Sequence, residues 1–281
     1  MIELENISYT YKDNSPGGNV ALDDVSLKVK EGEMWGIIGH TGSGKSTLLE
    51  IMSGLLRPNS GRVLFKGEDI TEAKSPISAL KGKVGLVFQY PEHQLFEESV
   101  IKDISFGPKN MGCTEDECIR RAREAMRLVG LGEEFENLSP FEISGGEKRR
   151  VAIAGILAME PEVLILDEPA AGLDPEGRDK LFDMLVKIKG TFCKSIIFVS
   201  HSMDDVALYA DKVMVMNKGK CITSGGVREV FGERELLLEA GLDVPQVARL
   251  IAQLNEKGHS FTDAVLTVEE AFRAIYDKLK G

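Results

Sequence analysis

The sequence predicts an α/β protein built on buried parallel strands, and three observations predict it. The apolar stretch Met34-Trp35-Gly36-Ile37-Ile38 runs into Gly39-His40-Thr41-Gly42-Ser43-Gly44-Lys45-Ser46-Thr47 and then into an amphipathic segment, Lys45 to Leu56. That is strand, glycine loop and helix in succession, the setting in which G-x-x-x-x-G-K-[ST] reads as a phosphate-binding loop. Val163-Leu164-Ile165-Leu166 and Ile196-Ile197-Phe198-Val199 are unbroken aliphatic runs, as expected of parallel strands covered on both faces. Helix-like segments separate them, the alternation that marks an α/β chain.

Taken in order, Ile2 and Leu4, then Ile7, Tyr9 and Tyr11, then Val25, Leu27 and Val29 alternate as half-buried antiparallel strands. Asn14-Ser15-Pro16-Gly17-Gly18-Asn19 between them is dense in turn residues and reads as an exposed loop. A hairpin turn at Glu31-Gly32 leads to the phosphate-loop strand. In the following helix, Leu48, Leu49, Met52, Leu55 and Leu56 recur at helical spacing and define a core face, until Pro58 to Gly61 end it. Arg62 to Phe65 and Lys83 to Phe88 are further strands. From Gln89 to about Gly155 the chain turns polar and helical, with a capping box at Thr114-x-x-Glu117 and a face formed by Ile119, Ala122, Met126 and Val129. This segment reads as a helical subdomain inserted in the α/β core. Asp174-Pro175 opens a helix with Leu181, Phe182, Leu185 and Ile188 on one side. Val213 to Met216 and Cys221 to Thr223 form a hairpin about Asn217-Lys218-Gly219. Beyond Gly232 only helical patterns remain: Val247, Leu250, Ile251 and Leu254 on one, and Val268, Ala271, Phe272, Ile275 and Leu279 on another capped by Thr267-x-x-Glu270. The expected division is residues 1–232, with the helical subdomain at about 89–155, followed by a helical extension over 233–281.

At 281 residues, 43% of them hydrophobic, the chain has material for about two globular domains. A formal net charge of −11 argues against nucleic acid as a partner, which would draw a basic face. The four cysteines form no C-x-x-C pair and read as reduced cytosolic thiols. The longest apolar run, Val151 to Met159, falls far short of the ~18–20 residues that span a bilayer, so the chain is expected not to cross a membrane but could sit on a membrane protein.

The chemistry of the loop follows from its residues. Gly39, Gly42 and Gly44 let backbone N–H groups turn toward phosphate oxygens without a Cβ in the way, and the helix N-terminus adds its positive dipole end. His40, Thr41, Ser43 and Thr47 complete the cradle. Lys45 supplies a cation to the β and γ phosphates, and the Ser46 hydroxyl is placed to ligate Mg²⁺. The bland alternative is a glycine turn ahead of a core helix. Downstream, Val163 to Leu166 ends in Asp167-Glu168-Pro169. Ligands bind at the C-terminal edge of a parallel sheet, so Asp167 suits the metal and Glu168 the attacking water; alone, the same residues could simply end a strand. Ser144-Gly145-Gly146, ahead of an apolar helix, offers a second anion site or an ordinary capped helix. Ser224-Gly225-Gly226 has the same residues and reads as a turn into a short helix.

Over residues 1 to 230 these motifs, in this order, resemble the nucleotide-binding subunits of ABC transporters. The resemblance implies a RecA-like P-loop core with an N-terminal antiparallel β subdomain, an inserted helical subdomain and a small C-terminal helical extension. It makes Tyr11 the aromatic that stacks on adenine, with Tyr9 as the fallback, and Gln89 the glutamine that joins metal and γ-phosphate to a membrane partner. Ser144, Gly145 and Gly146 become the signature that completes the site of an opposing subunit, Ala171 to Asp174 the D-loop, and His201 the switch histidine on the γ-phosphate. Standing alone, Tyr11, Gln89 and His201 would read as ordinary surface, core or strand-end residues. Gln89-Tyr90-Pro91-Glu92-His93-Gln94-Leu95-Phe96 and Val100 to Pro108 look more specifically like the ATPases of energy-coupling-factor (ECF) transporters, prokaryotic importers of vitamins and of cobalt or nickel ions. Ser15 to Gly18 and Gly39 to Gly42 look like the second of the two ATPase types in such complexes. This implies ATP and Mg²⁺ as ligands, integral membrane transport subunits as partners, and a heterodimer with a related ATPase rather than a homodimer. It also implies a peripheral position on the cytoplasmic face of the cell membrane and a dimerising role for the C-terminal helices. The sequence departs from the signature at Ile143 for Leu and Glu147 for Gln, and a carboxylate pointing from Glu147 toward phosphate would be unfavourable. The competing readings are a soluble ABC-type ATPase outside transport and a regulatory module that senses ATP without hydrolysing it; intact Asp167, Glu168 and His201 speak against the latter.

Overall fold

The computed structural model describes residues 1–11, 19–71, 79–262 and 265–280. Two sheets organise it. Strands β1 (Ile2–Tyr11), β2 (Asn19–Val29), β4 (Ser60–Phe65) and β5 (Glu68–Asp69) make an antiparallel sheet in the order β2-β1-β4-β5. The second sheet has the order β10-β9-β3-β8-β7-β6, from β3 (Met34–Gly39), β6 (Val84–Val87), β7 (Val163–Asp167), β8 (Ser195–Val199), β9 (Lys212–Asn217) and β10 (Lys220–Gly226). All its neighbours are parallel except β10 on β9. The period-2 alternation of these strands divides the core in two. Ile37, Ile165, Ile197, Val199, Met214 and Met216 face the antiparallel sheet and helix α1 (Lys45–Met52). Ile38, Leu164, Leu166, Ile196, Phe198, Val213 and Val215 face the helices on the other side. Both faces are covered, which explains why β7 and β8 read as continuous apolar runs.

Those covering helices are α2 (Val100–Asn110), α3 (Glu115–Leu128) and α4 (Gly145–Leu157) of the helical insert, α5 (Pro175–Ile188) and α6 (Met203–Tyr209). Asp174 caps α5 by accepting from Gly177 N–H at 2.8 Å, and Leu181, Phe182, Leu185 and Ile188 are its buried residues, as the spacing predicts. The short helices α7 (Val227–Gly232) and α8 (Arg234–Glu239) follow. Leu237, Ala240, Leu242 and Val244 join the main core, whereas Ile251, Val265 and Ala271 form a small separate cluster between α9 (Gln246–Glu256) and α10 (Val268–Lys280).

Several local expectations are corrected. The Glu31-Gly32 turn is not a hairpin, because β2 and β3 belong to different sheets and the turn carries the chain from one layer to the other. Helix α1 stops at Met52; Gly54 takes φ +79°, the helical phase is lost, and Leu55 is 43% exposed rather than core. On α3 and its C-cap the expected Ala122, Met126 and Val129 are buried together with Cys118 and Ala125, and only Ile119 is half-buried. Thr114 does cap α3, but the Glu117 carboxylate bonds Arg120 and Arg121 instead of closing the box. Ser224-Gly225-Gly226 is the end of strand β10, with α7 starting directly after it. In α9 Leu250 is exposed, and in α10 Val268, Phe272 and Leu279 are exposed, leaving Ala271 as the buried residue. The Thr267–Glu270 capping box forms in both directions at 3.3 Å. The predicted loop over 14–18 lies outside the described residues, and Asn19 opens β2.

Candidate active site

The glycine loop sits where β3 leaves the sheet, between β9 and β2. A Cβ on Gly39 (φ +155°) would lie 2.3 Å from the Met216 carbonyl oxygen and 2.6 Å from Ser43 Oγ; one on Gly44 (φ +101°) would lie 2.4 Å from the Ala21 carbonyl oxygen. Those approaches require glycine at both positions. Lys45, the first residue of α1, is 6% exposed, and its ammonium donates to the Gly39 and His40 carbonyls at 2.7 and 2.9 Å. Burial lowers the Lys45 pKa, while Glu168 and Asp167 oppose that shift. No side chain caps α1, so its leading N–H groups face the loop, and the buried Ser43 hydroxyl has no hydrogen-bond partner among the described residues. A cradle with an orphan donor, a helix N-terminus and a lysine matches a bound phosphate chain.

Three neighbouring strand ends supply the rest. Asp167 ends β7 and accepts from Ser46 Oγ at 2.9 Å. Glu168 follows at φ +48°, a left-handed backbone that costs a non-glycine residue about 1–3 kcal/mol and turns its side chain across the sheet edge. Its carboxylate is held at both oxygens: His201, past the end of β8, places Nε2 2.7 Å from Oε1, and Gln89, past the end of β6, donates Nε2 to Oε2 at 3.0 Å. The sheet order thus gathers Lys45, Ser46, Gln89, Asp167, Glu168 and His201 on one edge.

Ser46, Asp167 and the Gln89 carbonyl are hard oxygen donors of the type Mg²⁺ takes. Among the described residues no cluster of three or more His, Cys, Asp or Glu could cage a metal alone. Mg²⁺ binds through one or two carboxylates and completes its shell with waters and substrate phosphates, a mode open to Asp167 beside the Ser46 hydroxyl. Burial raises the Asp167 pKa, with nearby Glu168 adding to it and the Ser46 bond and Lys45 opposing. A raised carboxyl pKa means that the ionised form is disfavoured in the fold. Folding at neutral pH therefore carries a cost that is relieved as pH falls through the raised value, or when a cation binds. Asp167→Asn is accordingly expected to melt above the parent without ligand at pH 7, and to gain less in melting temperature than the parent when Mg²⁺ and nucleotide are added. A differential-scanning melt with and without both checks this.

Tyr11 is 39% exposed, its hydroxyl lies 3.2 Å from Thr47 Oγ1 and donates to Glu50 at 3.5 Å, and its ring meets Tyr9 edge-on at 4.9 Å. It is therefore tied to the helix that carries the loop. Thr41 is exposed, and the His40 ring lies against the C-terminal segment, 2.8 Å from where a Cβ on Gly241 would be. Ser144 and Gly145 are exposed on the helical insert, with open space where a Cβ would project from Gly145 or Gly146. None of the hydrogen bonds among the described residues joins Ser144, Gly145 or Gly146 to the glycine loop. Glu147 closes a capping box instead: Ser144 N–H donates to its carboxylate at 2.8 Å, and Glu147 N–H donates to Ser144 Oγ at 3.4 Å. The carboxylate is thus folded onto its own helix cap. Glu92 belongs to the Gln89–Phe96 stretch and Arg149 to the polar pair Lys148-Arg149 that departs from the family signature, but neither was assigned a role from the sequence, and Arg149 is buried beside the site, bonded to Glu92. Its signal was helical phase: Arg149 falls four residues before Ile153 and eight before Leu157, on the buried face of α4.

The ABC transporter family model matches residues 22–171. The chain is 51% identical to the energy-coupling factor transporter ATP-binding protein EcfA2 of Clostridium tetani, over 96% of this chain and 94% of that protein. It is 50% identical to the EcfA2 protein of Caldanaerobacter subterraneus subsp. tengcongensis, over 100% and 98%. Among solved structures it is similar to cbiO1 of Clostridium perfringens, described as part of the ABC transporter complex cbiONQ, with a TM-score of 0.76 and 41% identity over 89% of this chain and 98% of that one. It is also similar to an ATP-binding cassette solved as a dimer in a post-hydrolysis state with ADP and Pi, with a TM-score of 0.73 and 28% identity over 81% and 99%.

Proposed function

This chain belongs to the ABC transporter family, as an ATP-binding subunit of the energy-coupling-factor type, and from that premise we propose how its residues do the work. It is an ATP-hydrolysing subunit that energises an ECF importer. The observation that carries the reading is the convergence of Lys45, Ser46, Gln89, Asp167, Glu168 and His201 on one sheet edge.

The backbone of Gly39 to Thr47 and the Lys45 ammonium hold the β and γ phosphates, and Tyr11 stacks on adenine. Ser46, Asp167 and Gln89 hold Mg²⁺, which when bound neutralises phosphate charge. Glu168 takes the proton from a water whose oxygen attacks the γ-phosphorus as the bond to ADP breaks, and His201 contacts the γ-phosphate. Ser144, Gly145 and Gly146 lie on an open surface of the insert, which suits donation to the nucleotide of an opposing subunit. Two such half-sites would close on ATP and reopen after hydrolysis, a switch that runs on differential binding to the two states.

Residues 1–232 form the ATPase domain, with its helical subdomain at about 89–155, and residues 233–281 the extension. The exposed row Val268, Phe272, Tyr276 and Leu279 on α10 supports a dimerising role for the extension. A related but different ATPase is the expected dimer partner, and the assembly sits at the cytoplasmic face of the cell membrane against integral transport subunits; no helix among the described residues is long and apolar enough to cross the membrane itself. Affinity capture of the full chain from detergent-solubilised membranes is expected to co-isolate an integral membrane protein and a second ATPase. Quantitative recovery of an active ATPase from the soluble fraction with neither would favour the soluble alternative.

A further inference from the structure

We propose that Arg149 is a positioning residue that gears the helical insert to Glu168, an inference that rests on the ATPase reading above. Arg149 is 5% exposed and lies in the first turns of α4, the helix whose N-terminus carries Ser144 to Gly146. Four of its five N–H donors are taken up by two other segments. Nε and Nη2 donate to the two carboxylate oxygens of Glu92 at 3.1 and 2.8 Å, and Nη1 donates to the carbonyls of Pro169 and Ala171 at 3.2 and 2.6 Å. Glu92 sits in the turn Pro91–Gln94, three residues after Gln89; Pro169 directly follows Glu168. One side chain therefore pins the segment behind each of the two residues that meet in the Gln89–Glu168 hydrogen bond.

The backbone at both points is under constraint. Glu168 has φ +48° and Tyr90, between Gln89 and Glu92, has φ +54°. Strained conformations persist where surrounding contacts over-determine them, and here Arg149 contributes those contacts on both sides. A buried ion pair adds little net stability compared with an apolar substitute but specifies one geometry. A planar fork is needed to serve a carboxylate and two carbonyls at once, which an ammonium cannot do. The mechanical consequence is direct: any rotation of α4 that brings Ser144 toward an opposing nucleotide pulls on Pro169 and Ala171, and so on the Glu168 carboxylate. Arg149 thereby acts through Glu168 without touching the reacting atoms.

The test uses the full-length chain in the complex it co-isolates with, measuring steady-state ATP hydrolysis, nucleotide binding and thermal melting. Arg149→Lys keeps the charge and loses the fork; it is expected to lower kcat at least ~10-fold, in keeping with what sub-ångström to 1 Å misplacement of a catalytic group does, with KM for ATP within about threefold of the parent. Glu92→Gln removes the clamp from the other side, keeps its volume, and is expected to give the same split if Arg149→Lys does not fold. In a Glu168→Gln background, single-turnover hydrolysis should show no further loss on adding either change, because two residues acting through one carboxylate are not additive. Parental kcat in a folded variant, a rise in KM that matches the fall in kcat, or full additivity with Glu168→Gln would overturn the proposal. A parent complex that hydrolyses no ATP at all would instead remove the ATPase reading on which it rests.

Discussion

Glu168→Gln is expected to lower the turnover of ATP by on the order of 10²-fold or more while nucleotide affinity stays within a few-fold of the parent. The magnitude is that of a positioned general base, which contributes about 10²–10⁴-fold. The geometry says why binding should survive. The Glu168 oxygens bond His201 and Gln89 rather than the loop that cradles the phosphates, on which Glu168 acts only through its charge at Lys45. Gln has the same volume and one carbonyl oxygen, so one of these two bonds persists and the left-handed backbone at position 168 is unaffected. What is lost is the ability to accept a proton from water. Steady-state hydrolysis together with equilibrium binding of a fluorescent ATP analogue separates the two effects. Loss of nucleotide binding in a folded variant would assign Glu168 to the cradle instead.

Lys45→Ala should differ in kind, with binding and hydrolysis falling together. A charge-assisted hydrogen bond contributes about 1.5–3 kcal/mol, and each factor of ten in affinity corresponds to about 1.4 kcal/mol, so losing one such bond to phosphate weakens ATP binding by roughly 10- to 100-fold. The same substitution strips the Gly39 and His40 carbonyls of the donor they share. The loop should therefore loosen even without nucleotide. The check is titration of the analogue against Lys45→Ala and the parent at matched folded fraction. Unchanged affinity and turnover would remove Lys45 from the site.

Much of the site could be read from the chain because its chemistry is local. Gly39 to Thr47 is a contiguous segment whose strand, loop and helix fold on one another, and Asp167-Glu168 is marked by the apolar strand it ends. The two-sided burial of β7 and β8 was likewise written in their unbroken aliphatic runs, since period-2 alternation disappears when both faces meet core. Faces that depend on exact helical phase were less legible: Ile119 lost its place to Cys118, and Leu55 left the core because a left-handed Gly54 ended the helix early. Nothing in the spacing of Gln89, Glu168 and His201 says that they meet.

What the amino-acid sequence determined by itself was the class of fold, the phosphate cradle and the family, because each rests on residues adjacent in the chain or on a fixed order of motifs. Only the tertiary structure decided that His201 and Gln89 hold opposite oxygens of Glu168, and that Arg149 is buried between Glu92 and the carbonyls after Glu168. These relations join residues as far as 79 positions apart. They arise from the order β3-β8-β7-β6 of the parallel sheet, and strand order is set by how whole layers pack rather than by any local preference.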